Sequence, residues 1–286
     1  MKIGFIGVGI MGKSMVRNLM KAGFDVSIYT RTKSKVLDVL EEGAVWTDSI
    51  KECVADKDAV ITIVGYPKDI EEVYFGKDGI MECATQGAYL IDMTTTSPEL
   101  AIKIYNKAKE KGFLALDAPV TGGDVGAREG TLTIMVGGDE EAYHTCKKMF
   151  EAMGDHIVYE GKAGNGQHTK MANQITIAGT ISAVCEAMTY AKAVGLDVET
   201  MINTIKKGSA ASTQLSSAAP KILKEDYAPG FFIKHFIKDM RIAASEAKAR
   251  GLELSVLEEV LKMYESLEEK GAGDSGTQAL IKYYES

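Results

Sequence analysis

Three glycines near the start of the chain have the spacing of a phosphate-binding turn. They lie in Gly7-Val8-Gly9-Ile10-Met11-Gly12, between a strand-like run and a helix-like run. In that context the first glycine permits a tight turn, the second lets a diphosphate approach the backbone, and the third lets helix and strand pack closely. The free N–H groups at the start of the following helix would attract the negative charge. The pattern predicts a dinucleotide site at residues 7–12, with a ligand-free glycine turn as the alternative.

The tip of the second strand carries basic and hydroxyl side chains. NAD sites place an acid about 20 residues after the glycines to bind the ribose 2′-hydroxyl, but this chain has Thr30-Arg31-Thr32, followed by Lys35. An arginine can pair with a 2′-phosphate, a threonine can donate a hydrogen bond, and a lysine adds positive charge. These residues favour NADP over NAD, and a solvated basic turn is the alternative. We also assign Val64, which ends a buried strand-like run, to the cofactor.

A second glycine pair follows a later strand-like run, in Thr121-Gly122-Gly123. Consecutive glycines expose backbone N–H groups that can hold a carboxylate, and α/β folds bind ligands just after their strands. The segment is therefore a candidate carboxylate site. Taken alone, the segment is better explained as a turn without a ligand.

Lys170 and Asn173 are three residues apart in a predicted long helix, so they share a face of it. Their neighbours are mostly apolar, and a lysine in such surroundings is costly unless it has a partner or a task. Burial and a nearby cationic nicotinamide would favour proton release from it. The spacing fits a catalytic acid/base and equally a lysine on the outer face of the helix.

The elements that must position these residues alternate between strand and helix in the first half of the chain. That order predicts an α/β fold with a Rossmann-type doubly wound sheet. The predicted strands are Lys2–Gly7, Asp25–Tyr29, Ala59–Val64, Ala88–Met93 and Leu114–Pro119, and the predicted helices are Ser14–Ala22, Ser34–Glu42 and Glu99–Lys111.

The second half is predicted to be all-helical, beginning with one long helix over Gln167–Val194. Further helices are predicted at Val198–Lys206, Phe236–Arg250 and Ser255–Lys270. We place an NAD(P)-binding Rossmann domain at 1–163 and an all-α substrate and dimerisation domain at 164–286. Because the long helix is apolar or small almost all round, it should be buried. We therefore expect a homodimer or homotetramer formed through residues 164–286.

Composition excludes several classes of function. The 286 residues carry a net charge of −7, which is poorly suited to nucleic acid. Four scattered cysteines without a CxxC pair indicate a reducing compartment. The four histidines lack metal-ligand spacing, so we predict no metal site. The chain shows neither a leader nor an apolar run long enough for a membrane, so we expect a cytoplasmic protein.

Taken together, the motifs resemble the β-hydroxyacid dehydrogenase family, which includes 3-hydroxyisobutyrate dehydrogenase and the glyoxylate/succinic semialdehyde and tartronate semialdehyde reductases. The resemblance spans the whole chain. It rests on Gly4–Gly12, Asp92–Pro98, Asp117–Gly123, Gly130–Leu132, Gly164–Asn173 and Lys238-Asp239. It implies that Lys170 is the acid/base, that Asn173 positions the substrate, and that Thr121, Gly122 and Gly123 hold its carboxylate. It also implies that Thr95 and Lys238 reach the cofactor.

Three positions depart from the family pattern. Thr94 and Thr121 replace serines that the family commonly has, and Gln174 replaces the second asparagine of many relatives, where a longer amide could change the pocket. The resulting hypothesis is an NAD(P)-dependent oxidoreductase that interconverts a small hydroxy acid and its aldehyde acid, like 3-hydroxyisobutyrate dehydrogenase. A glyoxylate or succinic semialdehyde reductase and a non-catalytic NADP-binding interaction protein are the alternatives.

Overall fold

The computed structural model describes residues 1–285, which fall into two units: Met1–Lys170, and a second unit that begins at Met171. The predicted boundary between residues 163 and 164 lies a few residues earlier, in the loop before a long helix. The roles that the sequence assigns to the two domains stay predictions.

A single mixed sheet organises the first unit. Its strands run in the order β3-β2-β1-β4-β5-β6-β8-β7, with β9 paired to β8. The pairings from β3 to β6 are all parallel, whereas β8 runs antiparallel to both β6 and β7. The strands are β1 (Lys2–Ile6), β2 (Asp25–Tyr29), β3 (Val45–Trp46), β4 (Ala59–Thr62), β5 (Tyr89–Asp92), β6 (Leu114–Asp117), β7 (Val120–Thr121), β8 (Leu132–Gly138) and β9 (Gly154–Gly161).

Helices connect these strands and cover both faces of the sheet. Alternate residues of one strand enter different cores: Ile61 of β4 packs in one and Val60 in the other, and β4 is buried along its whole length. This double burial is the reason that β4 has no polar–apolar alternation. The helices are α1 (Ile10–Lys21), α2 (Leu37–Glu41), α3 (Ile50–Val54), α4 (Pro67–Phe75), α5 (Ile80–Cys83), α6 (Pro98–Glu110), α7 (Gly123–Glu129) and α8 (Glu140–Met153).

One predicted helix of the first unit is wrong in detail. Ser34–Glu42 is not continuous: a 3₁₀ turn over Lys33–Lys35 precedes α2. The interruption lies at Val36, whose φ of −127° is not helical and whose side chain is fully buried in the core. Anchoring this β-branched side chain outweighs the continuity of the helix.

The second unit is helical, and its only strand-like pairing within residues 171–285 is a bridge between Phe232 and Gly276. Its core centres on the buried rings of Phe236 and Tyr264. The helices are α9 (Asn165–Ala193), which starts in the first unit, α10 (Val198–Ile205), α11 (Thr213–Leu223), α12 (Ile233–Ala249), α13 (Ser255–Glu269) and α14 (Ile281–Tyr284). The predicted fold class, a Rossmann-type sheet followed by an all-helical region, is confirmed.

Candidate active site

The glycine-rich turn between β1 and α1 is shaped by close backbone packing. Gly7 has a φ of +99°, and a Cβ there would lie 2.1 Å from the Ile63 carbonyl oxygen; a Cβ on Gly12 would lie 2.2 Å from the Gly7 carbonyl oxygen. At Gly9, by contrast, no atom of the described chain beyond the adjoining backbone lies within 4 Å of the Cβ position. The turn is therefore closed on the protein side and open at its middle glycine.

The start of α1 has N–H groups to offer at this opening. Within residues 1–285 no side chain caps the helix, because its N-cap is Gly9. The first N–H groups of a helix have no partner inside it and attract an anion. Val8, Ile10 and Met11 complete the turn. An open cradle beside an uncapped helix start fits the diphosphate of a dinucleotide, so these residues could hold NAD(P).

The tip of β2 places its basic residues in solvent. The Arg31 side chain is 84% exposed, and its guanidinium lies 3.5 Å from Asp69 Oδ1 in α4. Thr32 and Lys35 are also exposed, and Thr30 is half-buried. An ion pair this exposed and this long is weak, so Arg31 remains available to a stronger anion.

A buried carboxylate orders the loop after β5. Asp92 Oδ1 accepts hydrogen bonds from Thr62 Oγ1 at 2.9 Å and from Thr94 N at 3.0 Å. Burial raises the pKa of Asp92 to about 7, and its Oδ2 has no hydrogen-bond partner in the part of the chain that the structure describes. The backbone N–H of Val64 donates to Thr94 Oγ1 at 2.9 Å. The structure therefore brings Val64, one predicted cofactor contact, to the loop that carries another, Thr95.

Lys170 is buried beside the predicted carboxylate loop. The residue is only 6% exposed, and its Nζ donates a hydrogen bond to the Val120 carbonyl oxygen at 2.9 Å. Val120 directly precedes Thr121, so the first unit alone brings together the lysine and the Thr121–Gly123 segment. Gly122 and Gly123 have φ values of +128° and +65°, which favour glycine. Lys170 is thus not a lysine on the outer face of the helix.

Two buried side chains that the sequence analysis did not single out hold the start of α9. Asp117 accepts hydrogen bonds from the backbone of Gly164 at 2.8 Å and of Gln167 at 2.9 Å. The Gln167 amide then bridges the β5 loop: Nε2 donates to the Thr94 carbonyl at 2.7 Å, and Oε1 accepts from Thr96 N at 3.1 Å. Burial raises the pKa of Asp117 despite these N–H donors. The clamp fixes the loop against the helix turn that leads to Lys170.

A second polar cluster lies within the second unit and contains Asn173 and Lys238. Asn173 Nδ2 donates to Gln174 Oε1 at 2.7 Å, and Gln174 Nε2 donates to Asp239 Oδ2 at 2.7 Å. Lys238 Nζ lies 2.9 Å from Asp239 Oδ1, an ion-pair distance without the direction of a hydrogen bond. Gln174 is 1% exposed, so protein encloses its longer amide. Asp239 lies inside one of the family motifs and Gln174 directly follows another, but nothing in the sequence pairs them.

Two features are absent from the described residues. Across residues 1–285, no three His, Cys, Asp or Glu side chains are grouped so that they could hold a metal ion. None of the helices in that range combines the length and the apolar character needed to cross a bilayer.

Comparisons with known proteins agree over the whole chain. Residues 2–161 match the NAD-binding domain of 6-phosphogluconate dehydrogenase, and residues 164–284 match the family described as NAD-binding of NADP-dependent 3-hydroxyisobutyrate dehydrogenase. An uncharacterized oxidoreductase of Bacillus subtilis is 51% identical, over 99% of this chain and 98% of its own. The 2-hydroxy-3-oxopropionate reductase of Escherichia coli is 36% identical, over 100% of this chain and 97% of its own. The Mycobacterium tuberculosis 3-hydroxyisobutyrate dehydrogenase, solved with L-serine, has a TM-score of 0.91 at 28% identity, covering 100% of this chain and 99% of that one.

Proposed function

This chain belongs to the β-hydroxyacid dehydrogenase family and is an NAD(P)-dependent oxidoreductase of hydroxy acids, and on that premise we propose that it reduces a small aldehyde acid with NADPH. The proposed substrates are methylmalonate, succinate or tartronate semialdehyde, or glyoxylate. The observation that carries the proposal is the burial of Lys170 against the carbonyl of Val120, directly beside the Thr121–Gly123 loop. A non-catalytic cofactor-binding protein would have no use for a costly buried lysine at this position.

The substrate half of the reaction is assigned to three groups. The Thr121 hydroxyl and the N–H groups of Gly122 and Gly123 hold the substrate carboxylate. Lys170 Nζ gives a proton to the carbonyl oxygen during reduction and takes one from the hydroxyl during oxidation. Asn173, three residues further along α9, aligns the substrate. The Val120 carbonyl orients the ammonium group by accepting its hydrogen bond.

The cofactor half is assigned mainly to residues of the first unit, together with Lys238 of the second. Residues Gly7–Gly12 and the start of α1 hold the diphosphate, and Val64, Thr95 and Lys238 contact the remainder. When bound, NADPH supplies the hydride that reduces the aldehyde carbon. The NADP preference is supported by the exposed guanidinium of Arg31, whose present partner Asp69 is weakly placed, and by Thr30, Thr32 and Lys35, none of which is acidic.

Assembly and location complete the proposal. Apolar side chains are exposed on the second unit, including Tyr190 at 68% and Val256 at 64%. Such exposure supports a homodimer or homotetramer, which light scattering at micromolar concentration tests directly, since a monodisperse monomer would contradict it. The free thiols of the four cysteines support a reducing, cytoplasmic setting.

The deciding experiment is a screen of NADPH oxidation with the four aldehyde acids, run in parallel with NADH. At least one compound should be reduced, and the rate should fall at least about a hundredfold in Lys170→Ala. The exposed Lys162→Ala is the matched control and should keep the wild-type rate. Binding of NADPH with no turnover of any aldehyde acid would favour the non-catalytic alternative.

A further inference from the structure

Four polar residues of the second unit form a continuous chain that ends at the substrate-aligning amide. The order is Lys238, Asp239, Gln174 and Asn173, with successive separations of 2.9, 2.7 and 2.7 Å. We propose that Asp239, acting through Gln174, fixes the orientation of the Asn173 amide, so that Asn173 offers its carbonyl oxygen as a hydrogen-bond acceptor to the substrate. The inference rests on the proposed function, because Asn173 must meet the substrate for its orientation to matter.

The direction of each hydrogen bond follows from the one before it. An ionised carboxylate can only accept, so Gln174 must turn its Nε2 towards Asp239. That choice directs Gln174 Oε1 towards Asn173, and an amide oxygen can only accept, so Asn173 must turn its Nδ2 towards Gln174. The Asn173 Oδ1 is then on the opposite side of its amide group. An asparagine without such a neighbour could flip and offer either atom.

Because Gln174 and Asp239 are buried, the two amides are held in these orientations. Gln174 and Asp239 are each 1% exposed, so water cannot replace a misdirected partner. A flip of the Gln174 amide would set an oxygen against the Asp239 carboxylate and would leave two buried groups unsatisfied. The ammonium group of Lys238 compensates the buried charge of Asp239 on its other oxygen. The two oxygens of Asp239 therefore have separate roles. Oδ1 faces Lys238, and Oδ2 sets the orientation of the Gln174 amide and, through it, of the Asn173 amide. We call this pair of oriented amides the relay.

The hydrogen-bonding character of Asn173 Oδ1 determines which substrate group it favours. An acceptor at Asn173 is matched to a donor other than the reacting hydroxyl, because the single proton of that hydroxyl goes to Lys170. Among the four proposed aldehyde acids, only tartronate semialdehyde carries such a donor, its 2-hydroxyl group. A substrate analogue that lacks this donor would leave a polar atom of the site unpaired, which disfavours it. Asp239 and Gln174 are thus positioning residues for substrate specificity, although neither is assigned to contact the substrate.

The test exchanges the amide and the carboxylate between positions 174 and 239, so that a hydrogen-bond donor still faces an acceptor. Gln174→Glu alone sets two carboxylates against each other, and Asp239→Asn alone leaves an amide that can present either atom to Gln174. In the double variant the introduced asparagine donates to the introduced glutamate, which also accepts from Asn173 Nδ2. One negative charge is kept in the cluster. We expect the KM for tartronate semialdehyde to rise at least about fivefold in Gln174→Glu, with a smaller change in kcat, and to return to within about threefold of wild type in the double variant.

A buried glutamine elsewhere in the second unit provides the matched control. Gln278 donates to the backbone carbonyls of Asp226 and Ala228 and has no part in the cluster. Gln174→Leu and Gln278→Leu should both lower the thermal unfolding midpoint, but only Gln174→Leu should raise the substrate KM. NADPH affinity, measured by fluorescence titration, should be the same in both.

The outcomes separate this inference from the proposed function. A wild-type protein that turns over none of the screened compounds refutes the proposed function and this inference with it. An active wild type whose KM is the same in Gln174→Leu and Gln278→Leu refutes only the relay. If Gln174→Leu does not fold, the exchange decides: a folded double variant no better than Gln174→Glu also refutes the relay.

Discussion

Replacing Lys170 by alanine removes one buried ammonium group and the hydrogen bond that it donates to the Val120 carbonyl at 2.9 Å. The proton for the developing alkoxide would then have to come from water. General acid catalysis contributes about 10²–10⁴-fold, so kcat for aldehyde reduction should fall by at least about a hundredfold. The affinity for NADPH should change little, because residues Gly7–Gly12 and Arg31 do not depend on the lysine.

The same change has a cost in stability that the structure bounds. A buried carbonyl that loses its donor costs roughly 1–3 kcal/mol, and the removal of a buried charge offsets part of this. The unfolding midpoint should therefore fall by no more than several degrees. A loss of activity much larger than this small loss of stability is the signature of chemistry rather than of misfolding.

Two further variants separate charge from proton transfer. Lys170→Arg keeps a donor for the Val120 carbonyl but cannot release its proton near neutral pH, so it should be nearly as inactive as Lys170→Ala. Lys170→Met keeps the shape of the side chain without its charge and should be folded but inactive. Steady-state NADPH oxidation across pH should show one group that must be protonated, and this limb should vanish in Lys170→Ala. Turnover like that of the wild type in Lys170→Ala would refute the assignment.

Three other predictions follow from the first unit. Arg31→Asp should weaken NADPH binding about tenfold to a hundredfold relative to NADH, since a charge-assisted pair is lost; an unchanged ratio of the two dissociation constants would contradict the NADP preference. Gln167→Leu removes both hydrogen bonds to the backbone of Thr94 and Thr96 and should lower the free energy of unfolding in urea by roughly 2–4 kcal/mol; a loss below about 0.5 kcal/mol would show that the clamp is dispensable. The pKa of Asp92 is raised from 3.8 to about 7 in the folded state, so the folded protein binds more protons than the unfolded chain in that window and stability should fall as pH rises through it. Asp92→Asn should flatten that slope in denaturation curves recorded from pH 4 to 8, and an unchanged slope would contradict the raised pKa.

The features that the sequence determined are local in the chain. The glycine turn at residues 7–12, the buried strand β4 and the continuous helix α9 each depend on residues a few positions apart. β4 is a short run of apolar residues and α9 a long stretch without proline, so each can be recognised within its own segment of the chain. Turn geometry is also local, so the consecutive glycines Gly122 and Gly123 by themselves indicate a turn with exposed backbone N–H groups.

Local sequence patterns fail where the burial of a side chain in the core decides the backbone conformation. Val36 interrupts a helix that the sequence predicts to be continuous, because the core takes its side chain. The helix α11 was not predicted, since Pro220 lies within it and proline normally ends a helix. The antiparallel pairing of β8 with β6 and β7 depends on how the chain returns to the sheet, and no periodicity within a strand records its partner.

The chemical environment of the candidate site was decided only by tertiary structure. Spacing alone left Lys170 equally compatible with a surface and a buried role, and its hydrogen bond to Val120 joins residues 50 positions apart. Gln167 meets the Thr94 carbonyl across 73 positions, and Gln174 meets Asp239 across 65. Whether a polar side chain is costly, oriented or reactive depends on which groups the fold brings within about 3 Å of it, and that proximity arises from packing between elements rather than from the order of residues within any one of them.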